Sequence, residues 1–488
     1  MKSAKLALIA ILALSQVTTQ LSKSKFQTLD DPEGIKERLN ITEEEYKKFE
    51  FYRLKPSDFI SNLKPSPNPL SKDPQDPKRP SPYFPYDPTR GYIEIYPKEE
   101  GGDNSMWYWL FPARENPDTA PLVIWFAGGP GGSSTTDAFG FMGPFEFKDW
   151  PFENKKALLR EYSWNQKANV IFPDFPLGVG FSTVTEGHVA RSGEDVMEQI
   201  RIFYTKFLAK FPQYKKREVY LAGVSYGGHW APYAAYALKY AENPDINVAG
   251  FLVDSGTMNA TDMYSSYLKF AVKQYQYTGI TQQVANALNK YQGLCSHYTI
   301  FKPNPFYIYT WFDVCMRLYY PGVLQNIAAN KPRFSPYYMP GNAPPVDPSF
   351  LYFFNNRQAQ DYLRVRKRDY QPLNNTIYNV FCPRDLANDM IPLMSRMLRD
   401  KVKGVVIACD YDFITNFEQS EKTVSQLDWS GRVAWNKKQL EVCEVGLCKE
   451  LLNLREYRVK GAGHGVSAYK PKFGVKILND MLDWKPAK

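Results

Sequence analysis

The chain has 488 residues, of which 44% are hydrophobic and 15% aromatic, enough apolar material for one large α/β core. Its mean hydropathy of −0.45 argues against many membrane spans, and its composition excludes collagen, a coiled coil and wholesale disorder. The net charge of +9 is spread along the chain, and the one compact basic run, 364–368, lacks the broad stripe of a nucleic-acid site. No nucleic-acid partner is therefore predicted.

Residues 1–20 have the pattern of a secretory signal peptide. A short cationic start precedes an apolar run, 6–14, that is too short to span a bilayer. A membrane anchor is the alternative interpretation of this run. We expect a mature protein without stable membrane insertion, in the secretory pathway and destined for a lysosome, a vacuole or the outside of the cell.

Sequons and cysteines fit that compartment. Sequons predict glycosylation at Asn40, Asn259 and Asn374. Six cysteines allow 15 pairings, and we predict disulfides between Cys295 and Cys315 and between Cys443 and Cys448. The second pair has no histidine nearby and no H-E-x-x-H motif occurs, so neither a metal nor another cofactor is predicted.

The N-terminal segment, 21–88, is charged and then rich in proline. It contains one predicted helix at 43–51, and 65–88 is predicted to be an extended linker or strap. From residue 89 onward buried strands alternate with helices. The predicted strands include 122–126, 168–172, 219–222 and 404–408, and the clearest helix is 194–211. This alternation predicts an α/β fold with a mostly parallel sheet.

The alternation stops after residue 257 and resumes with the strand at 404–408. Within the intervening stretch, about 258–345 is rich in aromatic residues and proline and holds two cysteines. We therefore divide the chain beyond 88 into a first core part at 89–257, an inserted lid at 258–345 and a second core part at 346–488.

Residues 223–227 form a G-x-S-x-G motif between a predicted strand and a predicted helix. In that context the turn would hold Ser225 in a strained conformation, and side chains at the flanking glycines would collide with neighbouring backbone. The motif alone also fits an ordinary turn between a strand and a helix. The candidate nucleophile is Ser225.

A serine nucleophile needs a histidine to accept its proton and a carboxylate to orient that histidine. Of the four histidines, only His464 follows the last strand, in a glycine-rich loop. Asp412 follows the strand at 404–408, with Asp410 as its rival. Ser225, Asp412 and His464 give the chain order of hydrolases with this motif.

An oxyanion requires backbone donors near the nucleophile. The glycine-rich run at 128–133 follows a buried strand and could supply the N–H of Gly129, with the N–H of Tyr226 as its partner. A phosphate-binding loop is the competing interpretation, but no G-K-[ST] follows.

Eight successive segments together resemble the serine carboxypeptidase family of α/β-hydrolases, in order from residue 89 onward. The segments are TRGYIEI from 89, WFAGGPGGSS from 125, YSWN from 162, PLGVGFS from 176, FPQY from 211, GVSYGGH from 223, DYDFITN from 410 and GAGH from 461. The resemblance implies an α/β-hydrolase fold: a mostly parallel central sheet flanked by helices, with an inserted lid. It also implies a lysosomal, vacuolar or secreted enzyme that removes C-terminal residues from peptides, and it assigns the same triad and oxyanion positions.

The chain departs from the family at three positions. Where the family has an asparagine and two glutamates that bind the free carboxylate of the substrate, this sequence has Ala127, Val224 and Phe141. Two carboxyl groups held together bind a carboxylate best when they are protonated, which would explain a preference for acidic pH. With apolar side chains at these positions, neither recognition of the C-terminal carboxylate nor that pH preference can be assumed. Cys409, at a position that is usually glycine, could be a buried free thiol.

Three functions remain open on the sequence. The first is a serine carboxypeptidase acting through an acyl-enzyme. The second applies the same chemistry to an ester, amide or acyl-transfer substrate, because the carboxylate-binding residues are replaced. The third is a secreted binding protein with degenerate catalysis. The expected partner is a peptide or small acyl substrate, and the sequence does not indicate an oligomeric state.

Overall fold

The computed structural model describes residues 81, 83–85, 88–99, 102–148, 156–300, 311–341, 347–366 and 369–486. The predicted signal peptide, the helix at 43–51, the sequon at Asn40 and nearly all of the proline-rich strap lie outside the described residues.

The strands in the described residues are numbered in chain order. They are β1 (Thr89–Glu99), β2 (Gly102–Phe111), β3 (Leu122–Phe126), β4 (Phe145–Glu146), β5 (Leu158–Leu159), β6 (Asn169–Pro173), β7 (Glu218–Val224), β8 (Asn247–Asp254), β9 (Lys403–Cys409), β10 (Glu441–Cys443), β11 (Gly446–Leu451) and β12 (Leu454–Val459).

Ten of these strands form one sheet, in the order β1-β2-β6-β3-β7-β8-β9-β12-β11-β10. All pairs from β6 to β12 in that order are parallel. The pairs at both edges are antiparallel, and β4 pairs with β5 apart from the main sheet. The predicted parallel sheet is confirmed for the centre of the molecule, and antiparallel strands extend it on either side.

The helices are numbered in the same way. They are α1 (Ser134–Asp137), α2 (Gly193–Lys210), α3 (Gly227–Lys239), α4 (Ala260–Lys273), α5 (Tyr275–Thr278), α6 (Gln282–Ile300), α7 (Tyr320–Asn330), α8 (Ser349–Asn355), α9 (Arg357–Leu363), α10 (Asn375–Asp385), α11 (Ile391–Arg399), α12 (Phe417–Ser425), α13 (Arg432–Lys437), α14 (Val466–Tyr469) and α15 (Pro471–Leu482). None of the helices in the described ranges combines the length and apolar character that a bilayer crossing needs.

The central strands are apolar on both faces because helices cover both sides of the sheet. In β3, Leu122, Ile124 and Phe126 point into one buried cluster, and Val123 and Trp125 point into the other. The unbroken apolar run that predicted this strand therefore reflects burial between two layers of helices.

Helix α2 begins where its sequence supplies a reciprocal cap. Ser192 Oγ accepts a hydrogen bond from the N–H of Asp195, and the Asp195 carboxylate accepts one from the N–H of Ser192. Two donors that the first helical turn leaves unpaired are satisfied in this way. The predicted helix at 194–211 is confirmed to within one residue at each end.

Helices α4 to α11 are all inserted between β8 and β9, although these two strands are direct neighbours in the sheet. One disulfide, Cys295–Cys315, ties α6 to the π-helical turn Asp313–Tyr319 of this insertion. The other, Cys443–Cys448, joins β10 to β11. Both predicted pairings are confirmed, and Cys409 is a buried free thiol, as is Cys382.

Candidate functional site

Four neighbouring parallel strands bring the candidate residues to one edge of the sheet. Ser225 follows β7, Asp254 ends β8, Asp412 lies just beyond β9, and His464 lies beyond β12. Because the carboxyl ends of parallel strands face the same way, residues far apart in the chain meet there, where open α/β sheets bind their ligands.

Ser225 occupies a strained turn between β7 and α3. Its φ of +59° lies in the left-handed region, which a residue with a side chain adopts at a cost. A Cβ on Gly223 would lie 2.7 Å from the carbonyl oxygen of Gly227, and one on Gly128 would lie 2.6 Å from the Cβ of Ser225. The predicted collisions at the flanking glycines are confirmed, and the glycine-rich loop after β3 passes directly against Ser225.

The loops after β9 and β12 bring a carboxylate to an imidazole. His464 Nδ1 lies 2.8 Å from Asp412 Oδ2; the Asp412 side chain is fully buried, and that of His464 is 11% exposed. Thr415 supports the same carboxylate: its hydroxyl donates to Asp412 Oδ2 at 2.7 Å and its N–H donates to Oδ1 at 3.0 Å. The rival carboxylate, Asp410, instead accepts from Arg458 Nε at 2.8 Å.

The electrostatics of His464 reflect a balance of opposing effects. Burial by itself lowers the pKa of an imidazole, but the adjacent Asp412 carboxylate reverses this, so that the pKa of His464 lies above its ordinary value. Two more buried acids, Asp254 and Asp137, act in the same direction. The surroundings therefore favour the imidazolium that a general base becomes when it accepts a proton.

Part of the insertion holds the loops of His464 and Asp412. The carbonyl oxygen of Tyr337 accepts from the His464 N–H at 2.8 Å, and that of Pro336 accepts from the N–H groups of Phe413 at 2.9 Å and Ile414 at 3.1 Å. The Tyr337 ring is 38% exposed and meets the His464 ring edge-on, with centroids 5.2 Å apart. An aromatic surface from the insertion thus lies beside the imidazole.

The two candidate oxyanion donors lie on the loops that meet at Ser225. Neither the N–H of Gly129 nor that of Tyr226 donates a hydrogen bond within the described residues. Segment 372–374 fixes the glycine-rich loop: the Asn374 N–H donates to Gly131 O, and the Ser133 N–H donates to Pro372 O, both at 2.9 Å. Such unoccupied, fixed N–H groups are what an oxyanion requires.

Ser225 and His464 are brought to the same edge, but within the described residues Ser225 Oγ makes no hydrogen bond with the His464 ring. A nucleophile and its base are often slightly apart in a protein without substrate and close only in the complex. The described ranges also contain no group of three or more His, Cys, Asp or Glu side chains arranged to hold a metal ion.

A comparison with known protein families identifies the family of this chain. Residues 77–483 match a family model described as serine carboxypeptidase. This chain belongs to the serine carboxypeptidase family.

Individual serine carboxypeptidases and their relatives agree with that assignment. The chain is 27% identical over 435 residues to carboxypeptidase Y homolog A of Uncinocarpus reesii, covering 82% of this chain and 76% of that protein. It is 28% identical over 410 residues to serine carboxypeptidase-like 49 of Arabidopsis thaliana, covering 80% and 76%. A prohormone-processing carboxypeptidase from Saccharomyces cerevisiae shares its fold, with a TM-score of 0.68 at 21% identity over 81% of this chain and 90% of that one.

The three positions at which the sequence differs from the residues expected for the family are Ala127, Val224 and Phe141. Ala127 and Val224 are buried at the ends of β3 and β7, and Phe141 packs against the cluster of buried aromatic residues on one side of the sheet. A Cβ on Gly465 would lie 3.3 Å from Val224 Cγ2. Val224 therefore faces the loop of His464 with a hydrocarbon surface, where a carboxyl group would offer hydrogen bonds.

The remaining histidines lie in other environments. His229 is buried on α3, with Nδ1 2.7 Å from Thr257 O and Nε2 3.2 Å from Asn388 O. His188 packs against Tyr96 with the two rings tilted by 34°, and His297 lies on α6. Of the four histidines, the structure brings His464 to the acid.

Two predicted glycosylation sites occupy helix caps. Asn259 Oδ1 accepts from the N–H of Asp262 at the start of α4, and the residue is buried. Asn374 caps α10 and donates through Nδ2 to Gly178 O at 2.8 Å. A glycan would replace one of the two Nδ2 hydrogens of Asn374. Glycosylation at both sites stays a prediction.

Sequence reasoning missed several residues that hold the site together. Thr415 was part of a recognised segment but was assigned no role, and Tyr337 lies in a stretch without motifs. Asp254 and Ser255, at the end of β8, were seen only as the end of a strand. Only their position could have indicated a role. They end a central strand beside the strand that leads to Ser225, and the carboxyl ends of such strands face the site.

Proposed function

We propose that this protein is a serine carboxypeptidase that releases C-terminal residues from peptides through an acyl-enzyme. The observation that carries the proposal is the arrangement of a serine at positive φ, a histidine 2.8 Å from a buried aspartate, and two unused N–H groups around one edge of the sheet. A binding protein with degenerate catalysis would have no need to keep this combination.

In the proposed reaction Ser225 Oγ attacks the carbonyl carbon of the scissile peptide bond, and His464 Nε2 takes its proton. The N–H groups of Gly129 and Tyr226 stabilise the oxyanion of the tetrahedral intermediate. The C–N bond then breaks as His464 returns the proton to the leaving amine. Water, activated by the same imidazole, hydrolyses the Ser225 ester and frees the enzyme, while Asp412 keeps the imidazole oriented.

A second candidate, hydrolysis or transfer of an acyl group from an ester or amide, is favoured by one observation. Apolar side chains occupy the three positions where the family binds the free carboxylate of a peptide, and two of them, Ala127 and Val224, are buried beside the site. A leaving group without a charge would suit that surface, whereas a carboxypeptidase would have to recognise the carboxylate through other residues.

Hydrolysis of N-blocked dipeptides, compared with their C-terminal amides and esters from about pH 4 to about pH 8, separates the two candidates. Preference for the free acids supports carboxypeptidase activity. Cleavage of the esters alone supports the second candidate. If none is cleaved and a fluorophosphonate probe labels the wild type no better than Ser225→Ala, both candidates fail.

A paired substitution tests the pocket itself. Ala127→Asn together with Val224→Glu restores two of the family's side chains. If carboxylate recognition is merely weakened here, the double variant gains carboxypeptidase activity; if the apolar surface serves an uncharged leaving group, it loses native activity. Thermal unfolding of the double variant controls for damage from a buried glutamate.

We further propose that the inserted segment 258–345 acts as a lid and that the protein is made in the secretory pathway. The lid is supported by the contacts of Pro336 and Tyr337 with the loops of Asp412 and His464. The compartment is supported by the two disulfides. Secretion into the medium of cells expressing the full chain, with loss on deletion of 1–20, tests the second point.

A further inference from the structure

Asp254 and Ser255 form a buried polar pair at the end of β8, between the strands that precede Ser225 and Asp412. They are 1% and 0% exposed. Their backbone holds the nucleophile: the N–H of Ser225 donates to Asp254 O at 3.1 Å and to Ser255 O at 3.2 Å. The carbonyl of Ser225 in turn accepts from the N–H of Thr257 at 2.9 Å. Both backbone polar groups of Ser225 are therefore bonded to this segment, and its carbonyl also accepts from the N–H of Gly228 at 2.9 Å.

The side chains of the same pair hold the loop of His464. Asp254 accepts from the N–H of Val466 through Oδ2 at 2.9 Å and through Oδ1 at 3.2 Å. Ser255 Oγ accepts from the N–H of Gly465 at 3.1 Å and donates to Asp254 Oδ1 at 3.2 Å. The two residues that directly follow the imidazole are thus tied to the residues that hold the serine.

We propose that Asp254 and Ser255 are positioning residues that set the distance between Ser225 and His464 in the reaction. This inference rests on the proposed hydrolase function. The physical reason is that Ser225 is attached to their backbone and the His464 loop to their side chains, so movement of one catalytic group relative to the other must break hydrogen bonds in a buried environment. A misplacement of about 1 Å can cost about a hundredfold in rate.

A buried carboxyl group in this place is an unusual choice. Burial raises the pKa of Asp254 to about 7, and the N–H of Val466 opposes that rise. A neutral side chain would avoid this desolvation, but it would not offer acceptors to both Val466 and Ser255 at once. The retained carboxyl group is consistent with a positioning role.

The test compares Asp254→Asn with Asp137→Asn. Both residues are buried, both carboxyl groups have a pKa raised by burial to about 7, and both act electrostatically on His464. Asp137 accepts from Trp125 Nε1 at 2.7 Å, however, and its carboxylate makes no hydrogen bond to the backbone of either catalytic loop within the described residues. The control therefore removes a similar charge without touching the proposed link.

For Asp254→Asn we expect kcat to fall by about ten- to a hundredfold, with KM within about threefold, because the substrate still binds while the catalytic groups are displaced. We expect Asp137→Asn to stay within about threefold in both constants. Ser255→Ala removes the acceptor for Gly465 and the hydrogen bond that Ser255 donates to Asp254, but it keeps the carboxylate that binds Val466. It should therefore show a smaller fall in kcat, and it serves as the second variant if Asp254→Asn does not fold.

Backbone amide exchange provides a readout that does not require turnover. Exchange at Gly465 and Val466 should become faster in Asp254→Asn and in Ser255→Ala but not in Asp137→Asn. Equal losses of kcat in Asp254→Asn and Asp137→Asn, or faster exchange with unchanged kcat, would overturn the proposal. A wild type that cleaves no substrate and reacts with no probe would instead refute the proposed function. Amide exchange does not require activity, so it separates that failure from failure of the positioning proposal.

Discussion

Thr415 holds the Asp412 carboxylate next to the imidazole of His464. Its hydroxyl donates to the same Oδ2 that faces His464 Nδ1 and lies 3.0 Å from that nitrogen. A carboxylate that accepts from two groups on its own loop and faces an imidazole has little freedom to rotate. The orientation of His464 is therefore set jointly by an acid and a neutral hydroxyl.

Replacing Thr415 with valine should lower kcat/KM by about tenfold or more. A hydrogen bond to a charged group contributes about 1.5–3 kcal/mol, and about 1.4 kcal/mol corresponds to a tenfold change in rate. Steady-state kinetics on the best substrate measures the effect. Thr415→Ser keeps the hydroxyl and should retain most activity; a serine variant as impaired as the valine variant would contradict the prediction, because the hydroxyl would then not be enough to preserve activity.

The pH profile of kcat/KM should have its acid limb above the ordinary imidazole range. A base works only when neutral, and the pKa of His464 is raised by Asp412 against the effect of burial, so activity must increase as the pH rises through that raised value. Initial rates across the pH range measure this limb. A maximum in the acid range that declines toward neutrality would contradict it and would show that a protonated carboxyl group contributes to binding.

At the scale of elements, α10 of the insertion is joined to α3, which carries the nucleophile turn, by a buried carboxylate. Asp385 accepts from Tyr226 Oη at 2.7 Å, from Tyr233 Oη at 3.0 Å and from Asn388 Nδ2 at 2.8 Å. Burial raises the pKa of Asp385 to about 6 despite these three donors. The proposed oxyanion residue Tyr226 is thereby linked to the insertion through its side chain.

Asp385→Ala should destabilise the protein by about 1–3 kcal/mol or more, because buried donors lose their shared acceptor. Urea unfolding followed by tryptophan fluorescence gives the free energy of unfolding. Tyr233→Phe keeps the carboxylate and is the matched control: it removes one hydrogen bond to Asp385 together with the one that Tyr233 Oη accepts from Asn388 Nδ2 at 3.1 Å. Equal stabilities of the two variants would mean that the carboxylate contributes no more than a single hydrogen bond.

Strand β12 carries a buried acid whose effect on stability has the opposite dependence on pH from that of a salt-bridged carboxylate. Burial first, and the neighbouring Glu421 second, raise the pKa of Glu456 to about 8, and Lys449 opposes them. Its Oε1 has no hydrogen-bond partner within the described residues. Because the folded pKa lies above the unfolded value, stability is full below the unfolded pKa and is lost as the pH rises through about 8.

Glu456→Gln should therefore be more stable than the wild type at about pH 8, by about 1 kcal/mol or more, and nearly equal to it at about pH 4. Thermal unfolding at several pH values measures the difference. The prediction fails if the two proteins have parallel stability curves, since the carboxyl group would then titrate alike in the folded and unfolded chains.

The sequence predicted the elements that a local residue pattern encodes and missed the features that depend on contacts between distant parts of the chain. The strand predicted at 122–126 is β3 residue for residue, and the one at 404–408 lies inside β9. The helices of the insertion, α4 to α11, were not located, although α4 has 14 residues and α6 has 19. This stretch is rich in aromatic residues and proline, which have low intrinsic helix propensity. The acid and the histidine were found because each follows a strand, whereas Asp254 and Ser255 act through hydrogen bonds to residues over 200 positions away, which no local pattern encodes.

At the scale of the whole molecule, the two disulfides should contribute unequally. Cys295–Cys315 closes a loop with a sequence separation of 20 inside the insertion, and Cys443–Cys448 one of 5 within a hairpin. A longer closed loop removes more conformational entropy from the unfolded chain, which corresponds to about 3 kcal/mol for the first and about 2 kcal/mol for the second.

Replacing both cysteines of the first pair with serine should consequently lower Tm more than the same change in the second pair. Differential scanning calorimetry of the two double variants measures this, with free-thiol titration to verify that Cys382 and Cys409 have not formed new bonds. A larger effect from the hairpin pair would show that local packing around β10 and β11 outweighs loop closure.

The position of β12 in the sheet also determines when the proposed activity can arise during synthesis. Ser225, the glycine-rich loop and β3 to β8 all emerge from the ribosome well before β12, which pairs in parallel with β9 and carries the chain into the loop of His464. A nascent chain that ends before this strand contains Ser225 but not His464, so the serine has no base. It also lacks the Gly465 and Val466 amides that bind Ser255 and Asp254. Such a chain cannot hydrolyse other nascent polypeptides, and the proposed enzyme would become reactive only as its last parallel strand is added.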